Sequence, residues 1–293
     1  MKKILPPECI DCVIEKKFSD YPKDADTEKI IEYKRKVLEI ILNADEEGAA
    51  PLIGREIANV KESLFGIKQD YSEIKQTFNS AMLKIENEIR NKVFSSNDVF
   101  ISAMKFAIAG NYIDVSAVKD LNEKTLIELL EKSSDFNLSD VETENLKNDL
   151  IKAKNIVYVT DNCGEIVLDK IFIEVIKSLN KNAKITAIVR GKQVANDATE
   201  KDALSVGLNS VCKVVGNGSD IPGTYLKEIS PAAKDAILSA DVIISKGQGN
   251  YETLSYCGLN VYYLFLCKCD MFLKRFDVPL FTPLIVNEKR KFN

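Results

Sequence analysis

The chain has 293 residues, of which 45% are hydrophobic and 29% are charged, a balance typical of a globular protein with a sizeable core. Lys and Arg number 40 against 44 Asp and Glu, and the formal net charge of −4 indicates neither a nucleic-acid nor a membrane-surface partner. The chain contains no histidine, which excludes Ser-His-Asp triads, Cys-His proteases, His-ligated zinc hydrolases and histidine phosphatases. An enzyme with this composition must use carboxylates, amides, Lys, Cys or a metal held by oxygen.

No targeting segment is predicted. The two lysines near Met1 are not followed by an apolar core of signal-peptide length. The apolar run at 261–267 is too short to span a membrane. Seven cysteines without disulfide-type spacing are read as reduced thiols, so we expect a cytoplasmic protein.

Apolar residues at helical spacing predict that residues 1–150 form an all-helical N-terminal domain. Helix caps are predicted at Asp26 and Asp98, each before an apolar stripe. The stripes comprise Ile30, Ile31, Val37, Leu38 and Ile41; Ile74, Phe78, Met82, Ile85 and Ile89; Phe100, Met104 and Ile108; and Leu126, Ile127, Leu129 and Leu130. No strand is predicted in this half.

From Asn155 onward, short β-rich runs alternate with helical segments. The predicted strands are 156–159, 185–189, 211–215, 242–245 and 261–266, and the predicted helices are 166–179, 199–206 and 231–240. Buried strands alternating with helices are typical of a parallel sheet covered on both faces. Residues 151–293 are therefore predicted to be a Rossmann-like α/β/α domain with a parallel-rich sheet.

Polar residues follow four of the predicted strands. They lie in 160–165 (Thr-Asp-Asn-Cys-Gly-Glu), 190–199, 216–220 (Gly-Asn-Gly-Ser-Asp) and 246–252 (Lys-Gly-Gln-Gly-Asn-Tyr-Glu). The carboxyl ends of parallel strands meet at one edge of the sheet, so these residues are expected to converge. Their carboxylates and amides suit a hard cation such as Mg²⁺ or Mn²⁺, and Arg190 and Lys246 would complement a phosphate.

Each of these segments also has a purely structural interpretation. Asp161 and Asn162, like the Asn196–Thr199 segment, are residue types that form turns and helix caps. Glycine-rich turns after strands are common, so 216–218 carries little weight alone. The prediction of a site depends on all four segments falling at strand ends together.

The cysteines allow two interpretations. Cys9 and Cys12 form a CxxC pair, and Cys267 and Cys269 form a CxC pair, so together they could bind a structural zinc ion. The alternative is that these thiols are simply packed in the protein interior. Cys163 has no histidine to activate it and is interpreted as a small filler residue.

Several motifs, in this order along nearly the whole chain, resemble the damage-control phosphatase family (domain of unknown function 89), and specifically its short archaeal and bacterial cysteine-bearing branch. The motifs are Pro7 to Cys12, Ile53 to Glu56, Asp70-Tyr71 with Ile74-Lys75 and Asn79, Gly110 to Asp114, Asp161 to Glu165, Val189 to Gly191, Asn196 to Thr199 and Lys246 to Glu252.

The resemblance implies a metal-dependent phosphatase that hydrolyses small phosphate monoesters, such as damaged or surplus phosphometabolites, by metal-activated water. It implies a divalent ion (Mn²⁺, Co²⁺, Ni²⁺ or Mg²⁺) held by Asp161, Asn162 and Asp197, with Lys246 in contact with the phosphate. Further residues are expected near the same pocket. They are Glu165, Arg190, Asn196, Asn250, Gly110, Asn111 and Asp114.

Two other classes of function stay open at this point. One is a Rossmann-type nucleotide- or S-adenosylmethionine-dependent transferase, although the loop after the first strand is not GxGxxG. The other is a non-catalytic metal-binding protein. The sequence leaves open the substrate, the native metal, the oligomeric state, and whether water or a carboxylate attacks first.

Overall fold

A computed structural model describes residues 3–113 and 123–292 of the chain. The helices of these residues are α1 (Pro7–Lys17), α2 (Thr27–Leu42), α3 (Ala50–Phe65), α4 (Ser72–Phe94), α5 (Val99–Ala109), α6 (Glu123–Glu131), α7 (Asp140–Lys152), α8 (Glu165–Leu179), α9 (Glu200–Ser205), α10 (Pro231–Leu238), α11 (Gln248–Leu254), α12 (Asp270–Phe276) and α13 (Glu288–Phe292). The strands are β1 (Asn155–Val159), β2 (Lys184–Val189), β3 (Lys213–Gly216), β4 (Val242–Lys246), β5 (Val261–Leu266) and β6 (Pro283–Asn287).

The strands form one sheet in the order β3-β2-β1-β4-β5-β6. The first five strands are parallel, and β6 pairs antiparallel with β5 at the edge. The predicted α/β fold with a parallel-rich sheet is thereby confirmed. Strand β6 was not predicted from the sequence. The chain order reverses between β1 and β4, where open α/β sheets bind their ligands.

Both faces of the sheet are buried, and the side chains alternate between two hydrophobic clusters. Ile156 and Tyr158 of β1 belong to the cluster that contains α8, whereas Val157 and Val159 belong to the cluster that contains α10 and α11. Because successive strand residues point to opposite faces of the sheet, residues 156–159 pack against apolar side chains on both faces. This is the packing that continuous apolar strands predict.

The N-terminal helices divide between two packing environments. Helices α4, α5 and α6 contribute to the same hydrophobic cluster as α8 and the sheet. Helices α1, α2 and α3 surround a separate small cluster that includes Tyr33 and Val37. The division of the chain into two domains near residue 150 stays a prediction, because half of the helical region shares the core of the sheet.

Two helix starts follow the predicted caps. The Asp26 carboxylate accepts from the backbone N–H groups of Glu28 and Lys29, and the Asp98 carboxylate accepts from that of Ile101. These bonds satisfy amide groups that have no partner inside the helix. In the part of the chain that the structure describes, no helix has the length and apolar character needed to cross a membrane.

Candidate active site

The segments that follow β1 and β2 pair with each other. Asn162 and Asp197 form an isolated antiparallel bridge, the N–H of Ala198 donates to the Asp161 carbonyl (2.8 Å), and that of Cys163 donates to the Asn196 carbonyl (2.8 Å). This pairing holds the side chains of Asp161 and Asp197 side by side at the carboxyl end of the sheet. The predicted convergence of these two strand ends is confirmed.

The helix-cap alternative fails for the first of these segments. Helix α8 begins after Gly164, and neither Asp161 nor Asn162 caps it. In the second segment, Thr199 caps α9 in a capping box with Asp202, while Asp197 takes no part in that cap. Asp161, Asn162 and Asp197 are therefore not accounted for as helix caps.

Arg190, which directly follows β2, bridges the two carboxylates. Its Nε donates to Asp197 Oδ2 at 2.6 Å, and its Nη2 lies 3.6 Å from Asp161 Oδ1. Its Nη1 donates to the Thr224 hydroxyl (3.3 Å). The guanidinium is 1% exposed and its Nη2 makes no hydrogen bond within the described part of the chain. Arg190 thus lies at the site, as predicted, with one donor still available.

The amide of Asn162 has a defined orientation. Its Nδ2 donates to Asp161 Oδ2 (2.8 Å) and to Glu165 Oε2 (3.1 Å). Asn111, which follows α5, donates to the same two carboxylates at 3.3 Å and 3.1 Å. Since the amide nitrogen of Asn162 contacts Asp161 Oδ2 and Glu165 Oε2, its carbonyl oxygen points away from those two oxygen atoms.

Negative charge is concentrated in this small volume. Burial, followed by the nearby carboxylates of Asp197 and Glu165, raises the pKa of Asp161 well above its usual range, and Arg190 and Lys268 only partly oppose this. Burial also raises the pKa of Asp197, although Arg190 lowers it. Carboxylates that are buried together are stabilised in their charged form by an added cation.

Gly247 allows the loop after β4 to approach Asp161. Its φ of 78° is in the left-handed region, and a Cβ built on it would lie 2.0 Å from Asp161 Oδ2. Any side chain at this position would displace the Asp161 carboxylate. The glycine is thus required by both the backbone conformation and the close approach.

Lys246 occupies a different place from the one that the sequence predicted. Its side chain is fully buried, and its ammonium donates to the Ala107 carbonyl, to Glu165 Oε1 and to Asp169 Oδ1, each at 2.7 Å. Contact with a phosphate would require the loss of one of these three bonds. The expected role of Lys246 as the phosphate-binding residue does not fit this geometry, because the side chain points into the core rather than toward the cleft.

The other predicted residues lie around the two carboxylates, with one exception. Asn250 is fully buried and ties β1 to β4 by donating to the carbonyls of Thr160 and Lys246. The Nδ2 of Asn196 is buried and makes no hydrogen bond among the described residues. A Cβ on Gly110 would lie 2.9 Å from Glu165 Cγ, so Gly110 permits close packing at the site. Asp114 lies outside the described residues.

Several residues near the site were not singled out from the sequence. Lys268, after β5, is close enough for its charge to lower the pKa of Asp161. Lys75 of α4 is 1% exposed and contacts Asp202 (2.6 Å) and Gln193 (2.8 Å), and its charge also lowers the pKa of Asp197. The sequence signal for Lys268 was its place two residues after the end of β5, between the two cysteines of the CxC pair.

The donor set of the site fits a hard divalent cation. Over residues 3–113 and 123–292, no group of three or more Cys, Asp and Glu side chains is arranged to hold a metal ion. The candidate centre consists instead of two carboxylates, Asp161 and Asp197, and the amide oxygen of Asn162. All three donors are oxygens, which favour Mg²⁺ and Mn²⁺ and are also used by other divalent ions.

The two cysteine pairs meet on the opposite face of the sheet. Cys9, Cys267 and Cys269 pack in the same hydrophobic cluster. Burial and the charges of Glu252, Cys269 and Cys12 raise the pKa of Cys9 to about 12. The interpretation of these residues as packed thiols stays a prediction, as does the alternative of a structural zinc ion.

Fold and site together define an α/β protein with a mostly parallel six-stranded sheet and a carboxylate–amide centre at the switch point of that sheet. Residues 5–282 match the family described as "Damage-control phosphatase ARMT1-like domain". The chain therefore belongs to the damage-control phosphatase family, as its motifs predicted.

Similar proteins agree with this assignment. An uncharacterised protein of Methanocaldococcus jannaschii is 31% identical over 280 residues, which cover 90% of this chain and 89% of the relative. A damage-control phosphatase of Pyrococcus horikoshii is 37% identical over 181 residues (61% of this chain, 62% of the relative). One of Archaeoglobus fulgidus is 29% identical over 210 residues (71% and 72%).

A solved structure extends the similarity to the fold. The crystal structure of a protein of the domain-of-unknown-function-89 family from Pyrococcus horikoshii matches with a TM-score of 0.83 at 28% identity, covering 97% of this chain and 99% of that chain. The names of the relatives support a phosphatase role in the family.

Proposed function

We propose that this protein is a metal-dependent phosphatase that hydrolyses small phosphate monoesters, among them damaged or surplus phosphometabolites. The observation that carries the proposal is the juxtaposition of Asp161, Asp197 and Arg190, with the Asn162 side chain beside them. Two carboxylates in one place favour a divalent cation, while Arg190 favours the phosphate that this cation would help to bind.

Asp161, Asn162 and Asp197 would hold the cation through oxygen atoms. Arg190 keeps Asp197 in place through its Nε and retains a buried donor, Nη2, for a phosphoryl oxygen. When bound, the divalent ion supplies Lewis-acid polarisation of the phosphoryl group and lowers the pKa of a bound water. This role is consistent with a chain that has no histidine to act as a base.

Cationic and amide groups would bind the transferred phosphoryl group. Lys268 supplies a positive charge near Asp161, and Asn196 carries a buried N–H₂ beside Asp197 without an acceptor among the described residues. A buried donor without a partner costs about 1–3 kcal/mol, and a phosphate oxygen would remove that cost. Donors fixed in advance stabilise charge on the phosphoryl oxygens during transfer.

A cavity next to the site offers room for the rest of the substrate. It has a volume of about 360 Å³ and lies between α1, α3 and the loops that follow β2 and β3. Gln193 to Ala195 form one wall and directly precede Asn196 and Asp197. Arg55 and Tyr71 line the opposite side, so the cavity suits a polar metabolite.

Hydrolysis of p-nitrophenyl phosphate in the presence of Mn²⁺, Co²⁺, Ni²⁺ or Mg²⁺ tests the proposal. Asp161→Asn removes a charge from the cation site. We expect the turnover to fall by more than the roughly 10–100-fold that is typical when a residue hydrogen-bonded to a metal ligand is changed. Asp235→Asn, an exposed carboxylate on α10, is the matched control and should keep wild-type activity. Absence of metal-dependent turnover in the wild type, or full activity of Asp161→Asn, would overturn the proposal.

A further inference from the structure

Lys246 is the centre of a buried charge cluster that also contains Glu165 and Asp169. All three side chains are fully buried. The ammonium has three protons, and its bonds to Glu165, Asp169 and the Ala107 carbonyl use all of them. Ala107 lies in the last turn of α5, where backbone carbonyls lack partners within the helix and favour a positive charge.

Glu165 connects this cluster with the candidate cation site. One oxygen, Oε1, accepts from Lys246, and the other, Oε2, accepts from the amide nitrogens of Asn162 and Asn111 at 3.1 Å each. The Glu165 carboxylate, together with Asp161 Oδ2, therefore holds the Asn162 amide nitrogen. Without the bond from Lys246, Oε1 would be a buried acceptor with no donor, and the carboxylate would be held only through Oε2.

The direction of the Lys246 side chain follows from the strand that carries it. Val242 and Ile244 of β4 belong to the cluster shared with α5 and α8, and Lys246 follows at the same two-residue interval. The contacts of the ammonium with Ala107, Glu165 and Asp169 and the alternation along β4 place it behind the site rather than in it.

We propose that Lys246 is a positioning residue, which holds Glu165 and through it orients the Asn162 amide oxygen toward a divalent cation without touching the phosphate. This inference rests on the proposed function, which supplies the cation. Hydrogen-bonded groups behind a metal ligand typically change metal affinity by 10–100-fold when they are removed.

The test compares two constants in one variant, Lys246→Met. We expect the Mn²⁺ dissociation constant, measured by calorimetry, to rise about 10–100-fold. The inhibition constant of inorganic phosphate, measured at saturating Mn²⁺, should change less than about threefold, because Lys246 has no bond to give to the phosphate. An unchanged Mn²⁺ dissociation constant with a tenfold or greater rise in the phosphate constant (about 1.4 kcal/mol) would overturn the inference.

Asp169→Asn is the matched control. Asp169 contacts the same ammonium and the Tyr158 hydroxyl (2.7 Å) but neither asparagine amide. This variant should keep the Mn²⁺ dissociation constant within about threefold of the wild type, since Glu165 keeps its bond from Lys246. A rise as large as that of Lys246→Met would show that general loosening of the cluster, rather than the link through Glu165, controls metal affinity, and would overturn the inference.

A second variant covers the case in which Lys246→Met does not fold. Loss of one partner leaves buried carboxylates without a counter-charge. Lys246→Met combined with Asp169→Asn removes one positive and one negative charge and so keeps the formal charge of the cluster; it should show the same loss of Mn²⁺ affinity.

A wild type that binds Mn²⁺ without phosphatase activity would refute the proposed function alone. A wild type that binds none of Mn²⁺, Co²⁺ and Ni²⁺ would refute both.

Discussion

Two neighbouring groups of buried charges in this protein have the same composition, two carboxylates and one cation, but different surroundings. In the first group, Arg190 bridges Asp161 and Asp197, whose side chains are 14% and 7% exposed. In the second, Lys246 bridges Glu165 and Asp169, and no side chain is exposed. The first group lies at the edge of the sheet, and the second lies between the sheet and α5 and α8.

The two groups differ in the hydrogen-bond donors that remain available to a ligand. The Lys246 ammonium has a protein acceptor for each proton, whereas Arg190 Nη2 and Asn196 Nδ2 have no hydrogen-bond acceptor among the described residues. In the second group only an acceptor, Asp169 Oδ2, lacks a hydrogen-bond partner among the described residues, so this group has no donor left for a ligand. A group with open donors can bind an anionic ligand. Charge composition alone therefore does not distinguish a binding site from a structural ion cluster; the open donors do.

The largest expected effect comes from removing Arg190, the cation of the first group. Arg190→Met leaves Asp161 and Asp197 facing each other, which should lower the free energy of unfolding by about 3–5 kcal/mol in metal-free buffer. Added Mn²⁺ should stabilise this variant more than it stabilises the wild type, because the ion replaces the lost charge. Urea unfolding with and without Mn²⁺ measures both effects. Lys246→Met should gain no such extra stabilisation, and equal Mn²⁺ effects in all three proteins would contradict the comparison.

The next effect separates the carboxylate geometry from backbone strain. Gly247→Ala places a Cβ against Asp161 Oδ2 and should weaken Mn²⁺ binding by at least about 10–100-fold. Gly258→Ala is the control, because Gly258 has a similar φ of 73° but no atom within 4 Å of its Cβ position. Gly258→Ala should lose stability because of its positive φ, Gly247→Ala should lose at least as much, and only Gly247→Ala should lose Mn²⁺ affinity in calorimetric titrations. Equal Mn²⁺ affinities in the two variants would refute the role of Gly247.

The smallest effect concerns pH in the second group. Burial raises the pKa of Asp169 to about 6, although Lys246 opposes this. Because the folded-state pKa lies above the ordinary value of 3.8, the folded state holds the proton more tightly. Stability from this group is therefore present below pH 3.8 and is lost as the pH rises through about 6.

Asp169→Asn has no such titration. Relative to this variant, the wild type should lose about 1–2 kcal/mol of unfolding free energy between pH 4.5 and pH 7. Lys246, Glu165 and Tyr158 surround residue 169 in both proteins, so the comparison isolates the carboxyl group of Asp169. Chemical denaturation at several pH values measures the difference, and a difference that stays constant with pH would contradict the prediction.

Much of the fold was predictable because its signals are local. The starts of β1, β2, β4 and β5 lie within one residue of the predicted ones, and Asp26 and Asp98 cap their helices as expected. Strand β6 was missed because it begins at a proline and pairs antiparallel at the sheet edge. The sharing of one core by α4, α5 and the sheet has no local signal at all.

The candidate site, like the fold, was predictable only in part. Strand ends in a parallel sheet converge by topology, so Asp161, Asn162, Asp197 and Arg190 could be grouped from the sequence. Lys246 was assigned to the phosphate because it ends a strand. The alternation of side chains along β4 instead directs Lys246 into the core, where it contacts Glu165. The i, i+4 spacing of Glu165 and Asp169 on α8 was the available signal for its partners.

The sequence by itself determined which chemistry the protein can use. The absence of histidine, the strand–helix alternation and the polar strand ends are properties of single segments, and they restrict the site to oxygen ligands and fixed cations. Only the tertiary structure decided which of those charges face each other. Asn111 and Asp161 are 50 residues apart, and Ala107 and Lys246 are 139 apart, so their contacts depend on how α5 packs against α8 and β5. Packing, rather than local pattern, separates the first charge group from the second.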